Sequence, residues 1–169
     1  MVREMKGAAI AVFLTLVVVS CGAPSPIPTR TAAAGVPCGP SEVFTRHDHA
    51  HLTVVVRGQL RTLPAFIGIS ATSICWLHTH DTTGIIHIEA GDARQLTLGD
   101  FFRVWGVALS TISLAGERAA SGESVQAIVN GTAYAQDPSG ILLTNHEDIV
   151  LQLGPPFLQI AAYVWPAGY

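Results

Sequence analysis

Apolar residues in this chain fall in short runs closed by turn residues. Residues 49–56 are rich in β-branched side chains and stop at Arg57-Gly58; residues 59–63 then run back. That pattern predicts a hairpin, with Pro64 ending the return strand. A short apolar piece covers 65–69. Residues 74–80 and 85–90 flank the turn Asp81-Thr82-Thr83-Gly84 and predict a second hairpin. Residues 125–129 meet Asn130-Gly131, the strongest hairpin signal in the chain. Residues 141–143, 149–153 and 158–164 complete the strand candidates, with Gly154-Pro155-Pro156 separating the last two.

One stretch carries helical spacing instead. Leu98, Phe101, Phe102 and Trp105 fall at i, i+3, i+4 and i+7, which is one helical face. Thr97 suits the N-cap, Asp100 can answer it in a capping box, and Gly106 suits the residue just past the end. An aromatic stripe at this spacing is usually core. The expected fold is a mainly β, single sandwich- or barrel-like domain with one short amphipathic helix at about 98–105.

The beginning of the chain reads differently. Arg3 and Lys6 precede an apolar run over 8–19, followed by Ser20-Cys21. A basic start, a run short for a membrane span and small residues at a break predict an export signal over 1–21. Val18-Val19-Ser20-Cys21 resembles the lipobox of bacterial lipoproteins, which implies lipidation of Cys21. An ordinary signal peptide, or a short uncleaved anchor, is the alternative. Residues 22–37 (GAPSPIPTRTAAAGVP) hold four prolines and little that could form a core, so they read as a tether. Residues 38–169 form the predicted folded domain. The expected location is the extracytoplasmic side of the cell membrane, held there by the lipid.

With Cys21 assigned to lipid, Cys38 and Cys75 remain. In an exported protein two such cysteines are expected to pair; the alternative is thiolate ligation of a metal. A disulfide would close a loop worth ~3–4 kcal/mol on the chain-entropy account. It would also tie the start of the domain next to the histidines of residues 78–87. Without Arg3, Glu4 and Lys6, seven arginines face eleven acidic residues, a net charge of −4. No basic stripe is present, which argues against nucleic acid as a partner. The sequence names no protein partner.

Six of the seven histidines lie between His47 and His87. They read His47-Asp48-His49-Ala50-His51, then His78-Thr79-His80-Asp81, then His87-Ile88-Glu89. The spacing of two puts each group on one face of a strand. If Asp81 pairs with Gly84 across the turn, His80 meets Ile85, His78 meets His87, and Trp76 meets Glu89. Opposed residues share a face with Cβ atoms ~5 Å apart, near enough for two imidazoles to hold one ion. The predicted metal ligands are His49, His51, His78, His80 and His87. His47, Asp81 and Glu89 are further candidates, as ligands or as groups that orient the ligands. Five imidazoles exceed one tetrahedral shell, so some would support the others or serve a second ion. His146 stands alone in a polar turn.

Both methionines, Met1 and Met5, lie in the signal, so no thioether is left for a soft copper site. If the cysteines are paired, no thiolate is left either. Imidazoles with carboxylate help suit Cu(II) or Zn(II), the expected cofactor, and then Ni(II) or Fe(II).

The segments HDHAHLTVVVRGQ, LHTHDTTGIIHIEAGD and LTLGDFFRVWG together resemble an uncharacterised family of bacterial extracytoplasmic proteins with HxHxHL and LHTHDxxGxIHxE motifs. The resemblance covers most of 47–106 and is weaker after Gly106. It implies that these histidines belong to one domain type and supplies no role for them. Three functions therefore compete: a tethered metal-binding module with no catalytic residues, a metal-dependent hydrolase or oxygenase using its histidines in a cupin-like way, and a surface interaction domain without metal. No nucleophile elbow, phosphate-binding loop or HExxH pattern is present.

Overall fold

The computed structural model describes residues 35–169. The predicted export signal, the predicted lipidation site Cys21 and most of the predicted tether lie outside the described residues. In chain order the elements are β1 (Cys38–Gly39), β2 (Arg46–Val56), β3 (Gln59–Arg61), β4 (Ile69–Ser70), β5 (Ser73–Cys75), β6 (Leu77–His78), β7 (Ile85–Ala90), α1 (Leu98–Trp105), β8 (Ser113–Leu114), β9 (Glu117–Arg118), β10 (Ser124–Val129), β11 (Thr132–Tyr134) and β12 (Glu147–Gly154), with a 3-10 turn at Pro138–Gly140.

The principal sheet runs β11-β10-β12-β2-β7-β6, with β3 also on β2. It does not close on itself, so the barrel expectation gives way to the sandwich-like one. β2 is central. One of its edges pairs with β7 over Arg46–His51 and with β3 over Val54–Val56; the other pairs in parallel with β12. β1, β5 and β4 form a small separate sheet, fastened by the Cys38–Cys75 disulfide between directly paired residues.

Period-two alternation gives the principal sheet two unlike faces. Ala50, Leu52, Val54 and Val56 of β2, Ile86, Ile88 and Ala90 of β7, and Ile149, Leu151 and Leu153 of β12 enter the apolar core. Helix α1 covers them with Leu98, Phe101, Phe102 and Val104. Burying each phenylalanine contributes roughly 1.5–3 kcal/mol. The helix has the predicted bounds, the Thr97–Asp100 capping box is formed, and Gly106 ends it at φ 80°. Val36, placed by sequence in the tether, is fully buried in this core.

The opposite face carries His47, His49 and His51 of β2, His87 and Glu89 of β7, and Asp148 and Gln152 of β12. Residues 158–164 were expected to form a strand but are irregular, and they cross this face instead. Both edges of β12 are already paired, so no ladder is open to them there. Gln152 takes the place of a strand partner: its amide nitrogen donates to Leu158 O at 2.9 Å, and its oxygen accepts from Leu158 N at 2.7 Å. Two other strand expectations shrink. Residues 141–143 keep only a bridge between Thr97 and Leu142, and 74–80 break at Trp76.

Candidate metal centre

Register decides the site. In β2 and β7, His47 pairs with Glu89 and His49 with His87; in β6 and β7, His78 pairs with His87. His49, His87 and His78 thus form one row across three strands. The predicted His78–His87 pairing is present. The His80–Ile85 pairing is not, because β6 ends at His78. The Gly84 carbonyl instead accepts from Leu52 N at 2.9 Å. Gly84 has φ +91°, and a Cβ there would sit 2.7 Å from Leu52 O and 3.1 Å from His51 Nε2. The backbone approach to β2 therefore requires glycine.

His78 has no exposed surface. Its Nδ1 donates to the Cys75 carbonyl at 2.9 Å. A carbonyl only accepts, so the neutral ring keeps its proton on Nδ1 and presents a bare Nε2. That Nε2 lies 3.2 Å from His80 Nε2 and 3.9 Å from Glu89 Oε1. Two nitrogens ~2.0–2.1 Å from one tetrahedral ion would stand about 3.3 Å apart, close to the spacing of this pair.

Glu89 gathers the cluster. It is 3% exposed, and its Oε1 lies 3.4 Å from His47 Nε2, 3.6 Å from His87 Nδ1 and 3.9 Å from His78 Nε2. Its Oε2 and His87 Nδ1 are buried with no hydrogen-bond partner among the described residues. Leaving such atoms unpaired costs roughly 1–3 kcal/mol each, a cost that a bound cation removes. His80, half-exposed, has Nε2 3.5 Å from Glu42 Oε1.

Burial also sets the proton states. It lowers His78 to about 4, against the raising effect of the Cys75 bond, and lowers His87 to about 3, with His80 and His49 adding repulsion. His49 is lowered in the same way, by burial and then by His47. Burial, aided by Glu42, raises Glu89 to about 7. Neutral imidazoles with free lone pairs are the form that binds metals.

Among the described residues, two groups have one ligand atom per residue within 4.8 Å of all the others: His78, His80, His87 and Glu89, and then His47, His49 and His87. Four of the five predicted ligands are therefore brought together, along with His47 and Glu89. His51 is placed elsewhere. Its Nδ1 donates to Asp148 Oδ1 at 3.0 Å, and its ring stacks on Tyr163 with centroids 3.6 Å apart and planes at 10°. Asp81 is exposed and closes its own turn, accepting from Thr83 N at 2.9 Å. His146 packs on Trp165, centroids 4.6 Å apart.

Sequence reasoning missed Glu42, Asp148 and Tyr169. Tyr169 stands with its ring 4.8 Å from His49 and 6.2 Å from His87. Asp148 had a readable signal, since Asp148 and Gln152 break the apolar run of β12 on one face. Glu42 and Tyr169 had none; they arrive from irregular segments. Comparison of the chain with protein-family profiles, with curated proteins and with solved structures gave no match in any of the three.

Proposed function

We propose that this domain binds a divalent transition metal, Cu(II) or Zn(II), outside the cytoplasm while tethered to the membrane. The ligands are His78, His80, His87 and Glu89. One observation carries the reading: the bond from His78 Nδ1 to Cys75 O aims a bare nitrogen at a carboxylate and two further imidazoles. Two of the atoms there, His87 Nδ1 and Glu89 Oε2, have no hydrogen-bond partner among the described residues. All-nitrogen and carboxylate donors suit Cu(II) and Zn(II), and the disulfide removes both cysteines as competing thiolates. The disulfide also suits an oxidising compartment. The lipobox-like Val18–Cys21 and the resemblance to extracytoplasmic proteins support the tethered location.

The test is elemental analysis of the full chain purified without a histidine tag, followed by competitive titration with Cu(II) and Zn(II). Tight binding is expected, and it should be lost in the doubly substituted His78→Ala, His87→Ala protein. Binding that survives both substitutions in a folded protein overturns the assignment.

A metal-dependent hydrolase or oxygenase is the second reading. The half-exposed rings of His47 and His80 favour it, because they leave the cluster open to solvent on one side. Exchangeable water on the bound ion, with turnover of an ester, phosphoester or oxidisable substrate, would select it.

A further inference from the structure

His87 belongs to both ligand groups and is the one residue they share. It lies on β7 directly between His49 of β2 and His78 of β6. The His49 and His80 rings both meet it edge-on, at centroid distances of 4.6 and 4.4 Å. Five other donor residues crowd around it, and with His87 they make six, more than one tetrahedral ion takes. An imidazole also has two nitrogens on different edges, each able to hold a metal once it carries no proton.

From this geometry we infer that the polar face holds two divalent ions, with His87 giving one ring nitrogen to each. The inference rests on the metal reading above and deepens it. The ion between β7 and β6 takes His78, His80, His87 and Glu89, which is the full ligand count of a closed site. The ion between β2 and β7 takes His47, His49 and His87. Three protein ligands are the count of a site that keeps one position open. Tyr169 borders that ion beside His49, and Phe44 borders it beside His47 with ring centroids 5.5 Å apart. The open position suits water or a small oxygen-donor ligand. When both His87 nitrogens coordinate, the single N–H proton of the neutral ring leaves to solvent, so loading the second ion releases that proton.

The experiment loads the full, untagged chain with Zn(II) alone and with Cu(II) alone, and counts bound ions by elemental analysis and calorimetry. Two ions per chain are expected. The His47→Ala, His49→Ala double variant should retain one, bound with affinity within about threefold of the tighter wild-type site. Circular dichroism checks that the variant is folded; His47→Gln with His49→Gln serves if the alanine pair is not. In the doubly Cu(II)-loaded wild type, magnetic coupling through the shared ring should cut the paramagnetic resonance intensity well below that of two free spins. One ion per chain in the wild type, or two still bound by the folded variant, overturns the second site. Two ions with the intensity of two free spins overturn the sharing of His87. No ion bound at all would instead sink the metal reading itself, so the two failures can be told apart.

Discussion

His78 and His87 stand directly opposite each other in the β6–β7 pair, with ring planes 14° apart and centroids 5.2 Å apart. Each ring is kept neutral by burial, and each aims a nitrogen at the same carboxylate, Glu89. An apolar packing role does not need that convergence. It leaves polar atoms unpaired inside the protein, which a fold without a ligand would be expected to avoid.

Metal should therefore stabilise the folded state. At free Zn(II) about 100 times the dissociation constant, linkage adds ~2.7 kcal/mol to unfolding. The wild type should melt several degrees higher with Zn(II) than with a chelator. His87→Ala, which keeps only His78, His80 and Glu89 of that group, should show a much smaller rise. Scanning calorimetry with and without chelator reads this directly, and an equal metal-induced shift in the variant would remove His87 from the site.

The disulfide is expected to act on the site as well as on stability. Cys75 lends its carbonyl to His78, and the Cys38–Cys75 bond holds that strand against β1. The double change Cys38→Ser, Cys75→Ser should lower stability by roughly 3–4 kcal/mol through the opened loop. It should also weaken the first metal ion about tenfold, because the Nδ1 anchor of His78 loosens. Urea unfolding and metal titration of the variant check the two effects separately. Unchanged affinity in a folded variant would show that Cys75 is held in place without the bond.

Local chemistry was legible in the sequence, and distant geometry was not. The turn Asp81–Gly84 and the spacing of two were enough to place His78 opposite His87. The aromatic spacing of 98–105 was enough to place the helix. The parallel pairing of β12 with β2 joins residues about a hundred positions apart, and no local signal encodes it. That pairing puts Asp148 beside His51, and so withdraws His51 from the ligand groups. Residues 158–164 misled for a related reason. Their apolar content suits a strand, but they lie across a sheet face with their backbone met by Gln152.

Asp148 should prove to be a positioning residue for the segment 155–169 and not a ligand. Its two oxygens accept from His51 Nδ1 at 3.0 Å and Tyr163 N at 2.8 Å. Asp148→Ala removes both acceptors, so both bonds are lost. The expected cost is about 1–3 kcal/mol, with altered tyrosine and tryptophan fluorescence as Tyr163 and Trp165 shift. Affinity for the first metal ion should stay within about twofold of wild type. A loss of a hundredfold would return His51 and Asp148 to the metal centre.

In the metal-free protein, pH should act through groups of opposite sign. His78 and His87 have ordinary values of 6.5, lowered by burial to about 4 and about 3. Between those values the unfolded chain binds more protons. Their contribution to stability is therefore full above pH 6.5 and is lost as pH falls toward 4 and 3. Glu89 runs the other way: its ordinary 4.5 is raised by burial to about 7. Its contribution is full below pH 4.5 and is lost as pH rises through 7. Between pH 4.5 and 6.5 the two histidines favour higher pH and the carboxyl opposes one of them. Glu89→Gln removes the opposing group and leaves the histidines neutral and buried. In that window its stability should rise with pH more steeply than the wild type's, by about one proton, or roughly 1.4 kcal/mol per pH unit. All other titrating groups cancel in the difference. Urea unfolding of both proteins in chelator at pH 5.0, 5.5, 6.0 and 6.5 (~0.5-unit steps, ample for a slope of this size) measures it. Equal slopes would mean that the Glu89 carboxyl stays ionised in the folded, metal-free protein.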